Sequence, residues 1–276
     1  MMRVTPLRTQ TAGRGSGFRA IRVSGPTSAL NPFLMVDHFW MSEPTFPAHP
    51  HAGFAAITYM FEDAQTGFLN RDSNGDSMII GPGDLHGTVA GRGMIHEETP
   101  IDAGRVAHGL QIFLNLPESL QAEPGYAIHA NRADLPVIQT GDVKILLVFG
   151  EAFGMTGPAR LPTTASLAIV TFDAAGTFEL AADDVSTFML VIDGVVRAEG
   201  VEAVAGTALT IDRRDRMRLE GTGHARLALF SGLPLDQPVV MRGPLAMASE
   251  AALLDAERRY AAGLFGWINS DEDADS

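Results

Sequence analysis

The 276-residue sequence predicts an all-β fold of two antiparallel β-barrels in one chain, with a single C-terminal helix. Three observations carry this. Helical periodicity is scarce, while 29 glycines and a run of turn signals punctuate short apolar stretches. Two segments recur in the same order. Leu110–Pro117 resembles Leu227–Pro234 at an offset of 117, and Thr58–Asp63 resembles Phe188–Asp193 at an offset of 130, the signature of a duplicated unit with a shorter middle. Apolar residues make up 46% of the chain, enough to fill two cores.

Residues 1–17 read as a flexible or edge segment, and Phe18–Val23 alternates as a first strand. The apolar run Pro32–Phe39 follows; His38 within it reads as a hydrogen-bonded core histidine. Pro44 and Pro47 mark a loop that delivers the chain to His49-Pro50-His51. Residues i and i+2 of a strand share a face, so His49 and His51 point the same way. The apolar run Ala55–Phe61 and the turns Asn74-Gly75-Asp76 and Gly81-Pro82-Gly83-Asp84 then lead through an AGRG turn to His96-Glu97-Glu98, where the same rule pairs His96 with Glu98 and turns Glu97 outward. His49, His51, His96 and Glu98 are therefore the candidate ligands of one divalent metal ion. Imidazole suits zinc, copper, iron or nickel, and the carboxylate extends the choice to manganese. His86, after a turn, is the rival ligand; a place behind the ligands or near the pocket mouth suits it better. His108 opens an apolar strand and reads as structural. His129 and His224 are expected in loops.

The boundary between barrels is expected between about 120 and 140, giving a metal-bearing N-terminal barrel over 1–125 and a C-terminal barrel with the helix and an acidic tail over 126–276. By offset, the second-copy counterparts of His49 and His51 are Glu179 and Ala181, and those of His96 and Glu98 are Arg213 and Asp215, so no metal is expected there. The run Asp212–Arg216 reads as a solvated strand or turn with local ion pairs. Ser249 caps the helix, whose inward face is expected to hold Leu253, Leu254, Tyr260, Ala261 and Leu264. Ser270–Ser276 reads as a disordered acidic tail.

Composition narrows function. A net charge of −13 with one lysine, Lys144, argues against direct nucleic-acid binding. Absence of cysteine excludes disulfides and thiolate ligands and is compatible with a cytoplasmic location. No apolar run approaches a membrane span, and the N-terminus lacks a secretory h-region.

At HPHAGF, GPGDLHGTVAGRGMIHEE, HGLQIFLNLP, NPFLMVDHF and GPLAM, the chain resembles the pirin family of the cupin superfamily, over residues 18 to 265 or so. The resemblance implies a bicupin, two double-stranded β-helix barrels, with one metal, usually Fe(II), in the N-terminal barrel at positions matching His49, His51, His96 and Glu98; Mn, Ni, Cu, Co and Zn remain open. It implies either a quercetin 2,3-dioxygenase-like activity on a small aromatic substrate and O2, with Glu98 serving as ligand and then base, or a non-catalytic metal-dependent regulator acting through a protein partner. The family's usual HPHRGFE departs here at Ala52 and Ala55, which leaves open any substrate contact the missing Arg and Glu would make.

Overall fold

A computed structural model describes residues 3–183 and 185–268. Two compact units are built from interleaved segments. One comprises the residues up to Ala12, Ile21–His38 and Ala133–Pro234; the other comprises Gly13–Ala20, Phe39–Arg132 and the chain from Leu235 onward. We call them the C-terminal and N-terminal barrel units after their main segments. A single cut at 125/126 is thus simpler than the chain path, which returns to the N-terminal unit after Pro234.

In the N-terminal unit, four strands of a seven-stranded sheet run in the order Tyr126–Ala130, Leu85–Val89, Phe54–Met60, Ala107–Asn115. A second sheet has the order His49–His51, Met94–Pro100, Phe68–Asp72, Ser77–Ile80. All these pairs are antiparallel. The strand Phe54–Met60 is buried on both faces, which explains its unbroken apolar run.

The C-terminal unit repeats this plan. Its larger sheet begins Val4–Pro6, Ala208–Ile211, Ser186–Asp193, Ala225–Gly232, and its smaller sheet runs Gly176–Leu180, Met217–Gly221, Val195–Ala198, Val201–Val204. The two recurring sequence segments fall on strands in equivalent sheet positions, 54–60 with 186–193 and 107–115 with 225–232. Residues 1–17 contribute two strands, Val4–Pro6 on a sheet edge beside Ala208–Ile211 and Arg8–Arg14 on another edge.

The helix Glu250–Ala261 is capped as expected, with the Ser249 hydroxyl accepting from Ala252 N at 3.2 Å. Its packing differs from the expected face. Leu253 and Ala256 are buried in a cluster with Ala52, Leu245, Met247 and Phe265, whereas Leu254, Tyr260 and Leu264 are exposed. The helix rests on the hairpin Val240–Arg242/Leu245–Met247, and that narrow support covers little more than the Leu253/Ala256 line. The acidic tail Ser270–Ser276 lies outside the described residues.

Candidate metal centre

The strand pairing brings the two distant motifs together. His96 lies opposite His49, and Met94 opposite His51. The donor atoms of His49, His51 and His96 all lie within 4.8 Å of one another, and the ring centroids are 4.7 to 4.9 Å apart. Bonds near 2 Å would draw this group closer by a small side-chain adjustment.

Each imidazole is oriented through its Nδ1. His49 Nδ1 is 2.9 Å from Pro47 O, His51 Nδ1 is 3.2 Å from Pro244 O, and His96 Nδ1 is 3.2 Å from Thr88 Oγ1. A carbonyl only accepts, so Nδ1 of His49 and His51 carries the hydrogen and Nε2 keeps its lone pair; the same assignment at His96 lets Nδ1 donate to Thr88. Burial holds all three rings neutral. His51 is pushed down to about 3, by burial and then by neighbouring His49, and His96 lies well below the usual histidine range for the same two kinds of reason. His49 is lowered by burial. Two buried imidazoles and one half-buried, all pre-oriented, fit a metal ion, and the absence of cysteine gives the site borderline nitrogen donors in place of thiolates.

Glu98 shares the inward face of its strand with His96. Thr58 Oγ1 lies 2.9 Å and 2.8 Å from its two carboxylate oxygens and 3.0 Å from Gln111 Oε1. The carboxylate stands outside the 4.8 Å histidine group. Burial pushes its pKa up to about 7, against the lowering effect of the Thr58 hydroxyl.

The interior beside the histidines is polar. Across the sheet, His129, His86, Thr58 and Gln111 sit directly opposite one another in a single row. His86 is buried, and neither ring nitrogen has a protein hydrogen-bond partner; it is pushed down to about 4, by burial first and then by His129. Asp72 faces His96 and Asn70 faces Glu98; both amide atoms of Asn70 and Oδ2 of Asp72 are buried without a protein hydrogen bond. Such groups need water or a polar ligand. His86 therefore lines the interior beside the ligand group without belonging to it. His129 lies in a strand, contrary to the expected loop; the short apolar alternation of Tyr126–Ala130 was the signal available for it. Thr58, Thr88 and Gln111 carry no motif and were not legible as site residues.

His38 is buried in the strand Phe33–Met41, and His108 pairs with Asp63 at 2.9 Å and stacks on Trp40, a structural role. His224 lies outside any strand or helix. Ala52 and Ala55 are fully buried; Ala52 O accepts from Ala246 N at 3.0 Å, and Ala55 lies between Leu114 and Val89 on the neighbouring strands.

The offset counterparts in the second copy need correction for both pairs: Leu180, opposite Met217, and Phe178, opposite Leu219, stand where His51 and His49 stand opposite Met94 and His96, in place of Ala181 and Glu179. The strand equivalent to Met94–Pro100 is Met217–Gly221, so Arg213 and Asp215 precede it in a loop. The inward-facing residues of the paired strands are Phe178, Leu180, Met217, Leu219 and Gly221, with no histidine or carboxylate among them. The connection to the following strand has three residues here, 222–224, against six in the first copy, 101–106, and an offset taken from that following strand missed the difference.

Fold and site together define a double-barrel cupin with a three-histidine centre in one barrel. The pirin family model matches residues 17–114, and that of the pirin C-terminal cupin domain matches residues 167–266. The chain belongs to the pirin family. A pirin-like protein of Caulobacter vibrioides is 32% identical over 94% of this chain and 97% of its own length. A Pseudomonas aeruginosa relative, named provisionally as a quercetin 2,3-dioxygenase, is 29% identical over 92% of this chain and 94% of its own. Among solved structures, quercetin 2,3-dioxygenase from Acinetobacter baumannii superposes with a TM-score of 0.85 at 22% identity, covering 97% of this chain and 98% of that one, a likeness of fold.

Proposed function

We propose that the protein is a metal-dependent dioxygenase, cleaving the ring of a flavonol or similar enolisable aromatic with O2, with Fe(II) held by His49, His51, His96 and Glu98. The observation that carries the reading is the pairing of three neutral imidazoles with a carboxylate whose pKa is pushed up to about 7 on the same inward face. When bound, the metal supplies a Lewis-acidic centre that favours an anionic oxygen ligand and lowers the pKa of its hydroxyl.

This chain's residues do the rest. Glu98, whose carboxylate oxygens lie 2.9 and 2.8 Å from Thr58 Oγ1, would accept the substrate hydroxyl proton. Thr58, itself 3.0 Å from Gln111, keeps the carboxylate in place as its charge changes. Asn70 and His86 offer buried polar atoms without protein partners to a substrate's oxygens. Ala52 and Ala55 offer no polar contact. No helix among the described residues is long and apolar enough to cross a membrane.

The test is oxygen uptake by Fe(II)-loaded protein with quercetin and related flavonols. Uptake that is lost in Glu98→Gln while the metal is retained supports the reading. No uptake with any flavonol, from protein carrying one equivalent of Fe(II), overturns it and leaves the regulatory role through a protein partner as the function of the centre.

A further inference from the structure

The C-terminal barrel unit holds a cavity of about 930 Å3, at the upper end of the range of small-molecule sites. Its wall includes Phe153, Ala168, Leu229, Ser231 and Arg213. Arg213 belongs to the run expected to be a solvated strand or turn, yet its side chain is only 10% exposed. Its Nε donates to Ala181 O at 3.1 Å and its Nη1 to Ser231 Oγ at 3.4 Å, and Ser231 Oγ lies 3.1 Å from the buried Thr187 hydroxyl. Among the described residues the countercharge beside it is Asp183, 3.4 Å from Nη2, and that carboxylate is 44% exposed, so solvent weakens it. A guanidinium has five N–H donors in a planar fork suited to a carboxylate. Among the described residues two of these are taken up by hydrogen bonds to protein and Nη2 faces the half-exposed Asp183, and a buried cation so partnered favours an anion.

A second observation concerns Phe153. In the hairpin Glu151–Ala152/Met155–Thr156 the two turn residues are Phe153, at φ 56°, and Gly154, at φ 72°. Glycine, asparagine and aspartate are the residues that suit such a turn, and a bulky aromatic there is strained. Strain of this kind persists where surroundings hold it in place. The Phe153 ring meets Phe178 at 5.5 Å, packs on the barrel core, and forms part of the cavity wall. The cavity thus joins a buried cation and two hydroxyls to an aromatic and aliphatic wall. Glu151 and Glu179, both exposed, also line it, and their charge opposes a polyanion such as a phosphate ester.

We propose that the C-terminal barrel is a second ligand site, which takes a small monocarboxylate with an apolar or aromatic body, the carboxylate on Arg213 and Ser231 and the body against Phe153 and Leu229. The site is independent of the metal centre. It binds; nothing in its wall supplies a metal or an activated nucleophile.

Fluorine NMR of the metal-free full-length protein with para-fluorobenzoate tests it, with the neutral isostere para-fluorobenzamide as control. The expected result is binding of the benzoate, with the benzamide weaker by at least about tenfold, the size expected for a charge-assisted pair. Arg213→Met weakens benzoate by at least about tenfold with unchanged circular dichroism, and His96→Ala leaves it unchanged. Equal binding of benzoate and benzamide, unaltered binding in Arg213→Met, or no binding up to about 10 mM, a Kd weaker than any specific site of this size, overturns the proposal. Should Arg213→Met fail to fold, the benzoate–benzamide comparison and the presence or absence of ligand contacts to Leu229 methyls decide on the native protein.

Discussion

Metal binding should release a proton from Glu98 and almost none from His51 and His96. In the metal-free protein Glu98 has a pKa pushed up to about 7, whereas His51 lies at about 3 and His96 and His49 are also lowered. At pH 6 a carboxyl with that pKa is about nine-tenths protonated, and at pH 8 about one-tenth, so ligation displaces about 0.9 and 0.1 proton. The same competition weakens apparent affinity about tenfold from pH 8 to pH 6. Ni(II), which is redox-inert here, serves as probe, and calorimetry in buffers of different protonation enthalpy counts the protons. Glu98→Gln should remove the pH-6 release. A count near three would mean that the imidazoles are charged before binding. A count below about 0.3 at pH 6, or one unchanged by Glu98→Gln, would refute the assignment of Glu98 as the ionising ligand.

Three further outcomes follow from the same contacts. Thr58→Val keeps the volume but removes the hydroxyl that touches both Glu98 oxygens, so the carboxyl should rise further and Ni(II) affinity fall about 10- to 100-fold, with a stability cost of about 1–2 kcal/mol; unchanged affinity would make that contact incidental. Leu253→Ala should cost about 2–4 kcal/mol in urea unfolding, whereas Leu254→Ala should stay within about 0.5, and equal costs would contradict the helix orientation. Metal-free Glu98→Gln protein should lose stability as pH falls from about 6.5 toward 3, because histidines with depressed folded values bind fewer protons than the unfolded chain in that window; a flat profile from pH 6.5 to 4 would show that they charge freely when folded. The Gln background matters, since Glu98, with a raised folded value, contributes the opposite slope between about 4.5 and 7.

What was legible in the sequence is what depends on local period. His49 and His51, and His96 and Glu98, face together because strands alternate, and both recurring segments fall on equivalent strands. The orienting partners were not legible, since Pro47 and Pro244 act through carbonyls and Thr58 and Thr88 act through register across the sheet. Register also explains why His129 was misplaced in a loop: its meaning lies in standing opposite His86, 43 residues away. The helix face failed for a different reason. Spacing fixes which residues share a side, but how much of that side is covered depends on the width of the partner, here a two-stranded hairpin.

The two barrels share strand order and differ in what they enclose, and burial energetics connects the two facts. A buried polar interior is stable only when its groups are paired or serve a ligand. In the N-terminal barrel three histidines, Glu98, Asn70 and His86 are arranged around such a need. In the C-terminal barrel the equivalent strand faces carry Phe178, Leu180, Met217 and Leu219, which close the core without one. Apolar packing there removes the requirement for a metal and leaves the strand ends and loops free to vary. Those are the elements that place Arg213 and Phe153 around a cavity.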